Sequence, residues 1–296
     1  MGLMMALGTL LVKLKLLKAE DSKILSVITL YLIMPCVLIT SFQVELTHEV
    51  QQGLLLALIA AVAIHVLLVL LNYPLKRLLG LDAVEQTSVI FSNSGNLIVP
   101  LVLAILGREW VIYSSAFLAV QMLLLFSYGK GILCDERGLD IKKVITNINM
   151  IAILTGLLLL ITGIRLPSII TDTMDSFAGM VGPAAMLVTG MLIGSMDLKK
   201  LIVKPRLWLI AFLRLIAVPL LIILLLKISG IAGMAENGRS VLLITVLAVI
   251  TPSASTITQL AQIYDKDAEW ASAINVLTTI LCICTMPLMI WLYQIL

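Results

Sequence analysis

Two long apolar runs in this chain are each interrupted near the middle by polar, helix-breaking residues. The first interruption is Ser92-Asn93-Ser94-Gly95-Asn96-Leu97-Ile98-Val99-Pro100; the second is Thr251-Pro252-Ser253-Ala254-Ser255. Unwound backbone in hydrocarbon leaves N–H and C=O groups without partners, at several kcal/mol per group, and survives only where protein or water surrounds it. Paired interruptions at matching positions of two halves point to a binding site near the bilayer midplane.

The rest of the sequence agrees with a bilayer setting. Of 296 residues, 61% are hydrophobic and 12% charged, with a mean hydropathy of +1.13. A soluble domain carries about 25% charged residues. Alternating ten-residue strands of the outer-membrane barrel type are absent, so the class is all-α. Ten apolar segments are legible, at about 1–12, 24–43, 53–73, 86–106, 110–129, 144–163, 177–196, 207–228, 240–262 and 270–295. Ten spans of about 20 residues leave room only for short connections.

The first segment is too short. Lys13 and Lys15 end it after about 18 Å of helix, against a core of about 30 Å. No basic region precedes it, so it does not read as a signal peptide. The expectation is that its outer half is missing, through a misassigned start codon or a truncation.

Basic residues set the orientation. Connections after odd-numbered segments carry fifteen, namely Lys13, Lys15, Lys18, Lys23, Lys76, Arg77, Lys130, Arg137, Lys142, Lys143, Lys199, Lys200, Lys204, Arg206 and Lys266. Those after even-numbered segments carry four: Arg108, Arg165, Lys227 and Arg239. The positive-inside rule makes the odd connections cytoplasmic and puts both termini outside. Pro35 and Pro183 occupy segments 2 and 7, and the interruptions segments 4 and 9. A five-helix unit has odd parity, so its second copy is inserted upside down. The expected organisation is ten transmembrane helices as two inverted five-helix repeats, 1–130 and 148–296, joined by a cytoplasmic loop at 131–147.

Asn93, Ser94 and Asn96 supply polar side chains, and Gly95 permits backbone angles that other residues resist. Pro100 suits the first turn of a renewed helix. Half-helix N-termini present free N–H groups and a positive dipole end, which suits an anion such as a carboxylate. Pro252, Ser253 and Ser255 offer the same in the second half. If the two unwound segments cross, both N-termini converge on one point. Arg214, inside segment 8, is a further candidate, either drawing an anion or locking helices through carbonyls. Gln259, Asn275 and Gln121 are secondary candidates, with interhelical hydrogen bonding as the alternative, and Asn72 is read the same way. His65 reads as a hydrogen-bonded packing residue.

No carboxylate lies centrally in either broken segment; Asp82, Glu85, Asp197, Asp265, Asp267 and Glu269 sit near cytoplasmic helix ends. Cys36, Cys134, Cys282 and Cys284 show no metal or disulfide spacing and read as packing residues. Hydrolase, metalloprotease, P-loop and dinucleotide motifs are absent, which argues against an enzyme and an ATP-driven pump. No metal, cofactor or nucleic-acid partner is expected.

Four motifs together resemble the auxin efflux carrier family of bacterial and plant transporters. They are Leu32-Ile33-Met34-Pro35; Asn93-Ser94-Gly95-Asn96 with Pro100; Arg214 with Pro219; and Thr251-Pro252-Ser253-Ala254 running through Tyr264-Asp265-Lys266-Asp267 to Thr278-Thr279 and Pro287. The resemblance covers the chain from about residue 7 onward. It implies crossing broken helices 4 and 9, elevator-like alternating access, and a scaffold of helices 1, 2, 6 and 7 that often forms a homodimer. It implies small carboxylates as substrates, malate or malonate in bacterial relatives and auxin in plants. The function expected is a secondary carrier of a small organic anion, a mono- or dicarboxylate, in the bacterial plasma membrane. A sodium-coupled symporter of bile-acid type and an anion channel are the alternatives. Asn96, Ser253 and Ser255 are expected to contact the anion, with Arg214 in support.

Overall fold

The computed structural model describes residues 2–134, 142, 145–194 and 204–296. Arg137, Lys143, Asp197, Lys199 and Lys200, which enter the charge reading above, lie outside them. Among the described residues the regular structure is helical, apart from one isolated antiparallel bridge between Ser92 and Ser253.

In chain order the main helices are α1 (Gly2–Lys13), α2 (Ser22–Ser41), α3 (His48–Leu79), α4 (Ala83–Ile90), α5 (Ser94–Ile105) and α6 (Arg108–Leu133). There follow α7 (Ile148–Thr162), α8 (Ser168–Ala178), α9 (Val181–Gly194), α10 (Pro205–Ser229), α11 (Gly238–Val249), α12 (Ser255–Ile263) and α13 (Ala268–Ile295). Helices α2, α3, α6, α10 and α13 are long and apolar enough to cross a bilayer alone. The segments at 86–106 and 240–262, which the sequence marks as interrupted, form the helix pairs α4–α5 and α11–α12.

Prolines shape two of the long helices. Pro35 and Pro219 lack the N–H that would close an α turn, and their rings crowd the carbonyl four residues back. A wider π turn precedes each, at Thr29–Ile33 in α2 and Leu213–Ala217 in α10, and absorbs the misfit while the helix continues. Pro183 behaves differently: it falls in the first turn of α9, just after the chain breaks between α8 and α9. Helix α8 itself covers residues that the sequence reading left between spans. Its Ser168-Ile169-Ile170-Thr171-Asp172 start is mostly exposed, and the carboxylate of Asp175 pairs with Arg108 at the start of α6.

The helices fall into two packed groups. One comprises α1, α2, α7, α8 and α9; the other comprises α3 to α6 with α10 to α13. In the first group backbone meets backbone. A Cβ on Gly190 would overlap the carbonyl oxygen of Met5, and one on Gly8 would lie 2.5 Å from that of Leu187. Thr9 Oγ1 donates to the Gly190 carbonyl across the same seam at 2.9 Å. In the second group a polar network ties α3 to its neighbours. Asn72 Nδ2 donates to Gln86 Oε1 at 3.1 Å and to the Tyr128 hydroxyl at 2.8 Å. His65 is buried, hydrogen-bonded to the Ala61 carbonyl at 2.7 Å, with its ring tilted against that of Phe117 at 4.6 Å between centroids.

Glu85 anchors one end of this group, just ahead of the apolar segment that begins at 86. It is 3% exposed, and it accepts from Arg206 Nε at 2.7 Å, Arg206 Nη2 at 2.6 Å and Trp270 Nε1 at 3.3 Å. Asp82 and Glu85 also form a reciprocal capping box at the start of α4. Burial opposes the charge on Glu85, but the Arg206 and backbone hydrogen bonds outweigh it and hold the carboxyl below its usual range. Asp82, with burial as the larger influence, is pushed up.

Candidate functional site

The two interruptions meet. The amide of Asn93 donates to the Pro252 carbonyl at 2.8 Å, and that of Ala254 donates to the Phe91 carbonyl at 3.0 Å. These two bonds form an antiparallel rung between the unwound segments, so the groups freed by each break are satisfied by the other. A flanking amide side chain braces each strand of the rung. Gln121 of α6 donates to the Ser92 carbonyl at 2.8 Å and accepts from Ser92 Oγ at 2.8 Å. Asn275 of α13 donates to the Ser253 carbonyl at 2.6 Å, while the Ser253 amide donates to Thr278 Oγ1 at 3.2 Å.

Each break creates a C-terminal and an N-terminal helix end, and the protein treats them differently. The C-terminal ends of α4 and α11 are taken by Arg214, which is 0% exposed. Its guanidinium donates to the carbonyls of Val89 at 3.2 Å, Val249 at 2.7 Å and Thr251 at 2.9 Å. A cation there offsets two negative dipole ends at once. The π turn of α10 carries this residue.

The N-terminal ends of α5 and α12 have no such partner. Neither carries a side-chain cap: Asn93 makes no capping bond, and Ala254 has no side-chain oxygen to offer. Helices α2, α8, α10 and α11 also start without a side-chain cap, whereas α3, α4, α7 and α13 are capped by a Thr, Asp or Asn side chain. Instead the side chains at the two bare ends join one another. Asn96 Nδ2 donates to Asn93 Oδ1 at 3.1 Å and to Ser255 Oγ at 3.2 Å, and Ser255 Oγ lies 3.4 Å from Asn93 Oδ1.

These residues line a cavity of about 240 Å³ between the two helix groups. Asn93, Asn96 and Ser255 share its wall with Gln259 and Asn275, and Ser22, Lys23, Ser26 and Thr29 of α2 face them. A second, largely apolar cavity of about 210 Å³ shares Leu97 and Thr279 with the first and reaches Pro252, Cys282 and Met286. The arrangement offers bare amide ends, hydroxyls and carboxamides on one side and an amine at the other. These groups suit a small polar anion.

The sequence candidates are thus sorted by position. Asn93, Asn96, Ser255, Gln259 and Asn275 line the polar cavity. Pro252 borders the apolar one, and Ser253 is buried, with its Oγ unpartnered among the described residues. Pro100 stands inside α5 and not in its first turn: the helix restarts at Ser94, because Gly95 and Asn96 are compatible with helix once the rung has closed. Pro100 borders a third cavity together with Arg108 and Asp175. Arg214 lies off the polar cavity, because its charge is committed to carbonyls, and Gln121 is committed to Ser92. Sequence reasoning missed the α2 wall. Its signal was present in Ser22, Ser26 and Thr29, which recur at helical spacing on one face of an otherwise apolar helix.

A family model described as membrane transport protein matches residues 2–143 and 137–290. No curated protein matches the chain.

Proposed function

Because the chain belongs to the membrane transport protein family that covers the auxin efflux carriers, we propose that this multi-pass membrane transporter is a secondary carrier of a small organic anion. It works by elevator-like alternating access in the bacterial plasma membrane. The ten spans are α1, α2, α3, α4 from Gln86 onward with α5, and α6 in the first repeat (1–130), and α7, α9, α10, α11 with α12, and α13 in the second (148–296), joined through 131–147. The second repeat is inverted with respect to the first. The matching roles of Gln121 on Ser92 and Asn275 on Ser253 support that symmetry. Helices α1, α2, α7 and α9 are the scaffold, at which two copies pair, and the other group carries the site across.

One observation carries the reading. Two uncapped half-helix N-termini open on a shared polar cavity, while their C-terminal counterparts are held by a buried arginine. The positive ends left over favour a carboxylate. Asn93, Asn96 and Ser255 bind it, with Gln259 and Asn275 around it. With the basic connections inside and both termini outside, the cavity opens toward the cytoplasm, because the start of α2 forms its rim.

The test is transport in proteoliposomes with radiolabelled malate, malonate and acetate, with and without an imposed potential and with and without sodium. Saturable uptake and counterflow of at least one anion are expected. Non-saturating currents without counterflow would make the protein a channel, and strict sodium dependence would make it a symporter.

A further inference from the structure

Lys23 is the charged residue on the wall of the polar cavity, and it stands on the scaffold side. Of the basic residues before α2, Lys13, Lys15 and Lys18 are exposed and border none of the described cavities. The positive-inside bias accounts for a cluster of lysines at this level. It gives no reason for one of them to face Asn93, Asn96 and Ser255 across a polar space. Among the described residues Lys23 makes no ion pair, whereas the neighbouring carboxylate of Asp21 accepts from the Lys18 amide at 2.7 Å. The amine is therefore available to a guest.

Its place in the fold matters as much as its charge. Lys23 lies in the first turn of α2, within the group that packs through α1, α7 and α9. The bare amide ends belong to the other group. An anion held between them touches Lys23 only while the two groups stand as they do here.

We propose that Lys23 is a one-sided specificity residue: it contributes to anion binding from the side of the basic loops and plays no part in binding from the opposite side. This rests on the carrier reading above. The amine raises the local concentration of anions in a cleft with low-dielectric walls and contributes a Coulomb attraction in the inward-open arrangement. Once the mobile group has moved, the anion has left its reach. The carrier then binds anions unequally at its two faces although the amide ends are the same in both.

The experiment uses proteoliposomes of known protein orientation and measures KM for labelled malate, malonate and acetate from each side. Wild type, Lys23→Gln and Lys23→Arg are compared. Lys23→Gln is expected to raise KM from the basic-loop side about tenfold, with KM from the other side changed by less than about twofold. The rise shrinks at high salt, because the amine is exposed and screened. Lys23→Arg restores the wild-type value to within about threefold, and all three proteins melt together in detergent. An unchanged KM on both sides, an equal rise on both, or failure of Arg to rescue overturns the proposal. If the wild type carries none of the three anions, the carrier reading fails and takes this proposal with it, a result visible before any variant is compared.

Discussion

The carbonyl side and the amide side of the crossing are built from the same two breaks, yet they meet opposite fates. Where α4 and α11 end, a fully buried guanidinium bonds to Val89, Val249 and Thr251. Where α5 and α12 begin, no side chain caps the helix, and Asn93, Asn96 and Ser255 look onto a cavity. The negative ends receive a permanent, covalently attached counter-charge. The positive ends receive none, and it is there that the proposed anion would sit. A transporter needs this division, since a site satisfied by its own side chains has no affinity to offer a guest.

The largest effect is expected from removing the permanent partner. Arg214→Met leaves three carbonyls dry and two dipole ends uncompensated, which costs about 3–5 kcal/mol. Folded protein should fall steeply in membranes and in detergent melting. Arg214→Lys, which keeps the charge and loses the fork, should lose less. If Arg214→Met folds normally and only transport declines, the two sides of the crossing are not divided as described.

Asn96→Ala attacks the other side. It removes the bonds to Asn93 and Ser255, worth about 1–2 kcal/mol together. Transport is expected to vanish while most of the protein remains folded. Normal malate or acetate flux at matched abundance would show that the bare ends do not hold the cargo.

A smaller contrast separates the two braces. Gln121→Leu frees the Ser92 carbonyl and hydroxyl away from the cavity, so melting should fall by the equivalent of about 1–3 kcal/mol with KM unchanged. Asn275→Leu should lower stability similarly and raise KM as well, because Asn275 also lines the cavity.

The smallest effect lies farthest from the crossing. Glu85 holds its carboxyl below the ordinary range, so its contribution is present above about pH 4.3, its unfolded value, and is lost as pH falls through the folded value. Asp82, shifted upward, works in the opposite sense over the acid range. The melting difference between wild type and Glu85→Gln should therefore be full at neutral pH and shrink on acidification. A difference that stays constant would remove the charge pairing with Arg206 from the account.

The breaks were legible because glycine, proline and short polar residues seldom gather inside a long apolar run unless the helix is interrupted there. Orientation rests on charge counts alone, since helix packing is the same whichever face is cytoplasmic. The roles within the site were harder to read. Arg214 was visible as an intramembrane cation, but whether it faced an anion or carbonyls depends on the π turn of α10, which sequence periodicity does not reveal. Pro100 was misplaced as a helix start because the rung lets the chain resume helix at Ser94. The α2 wall was overlooked because isolated Ser and Thr bond back to their own helix, as Ser26 does to Ser22 at 2.8 Å, and so carry little weight in an apolar segment.

The rung from Asn93 to Pro252 and from Ala254 to Phe91 is made of main chain only. No side chain supplies either bond, so a point substitution removes one directly only by placing a proline at one of the two donors. Side chains around the crossing that neither brace nor line it can therefore vary while the junction persists.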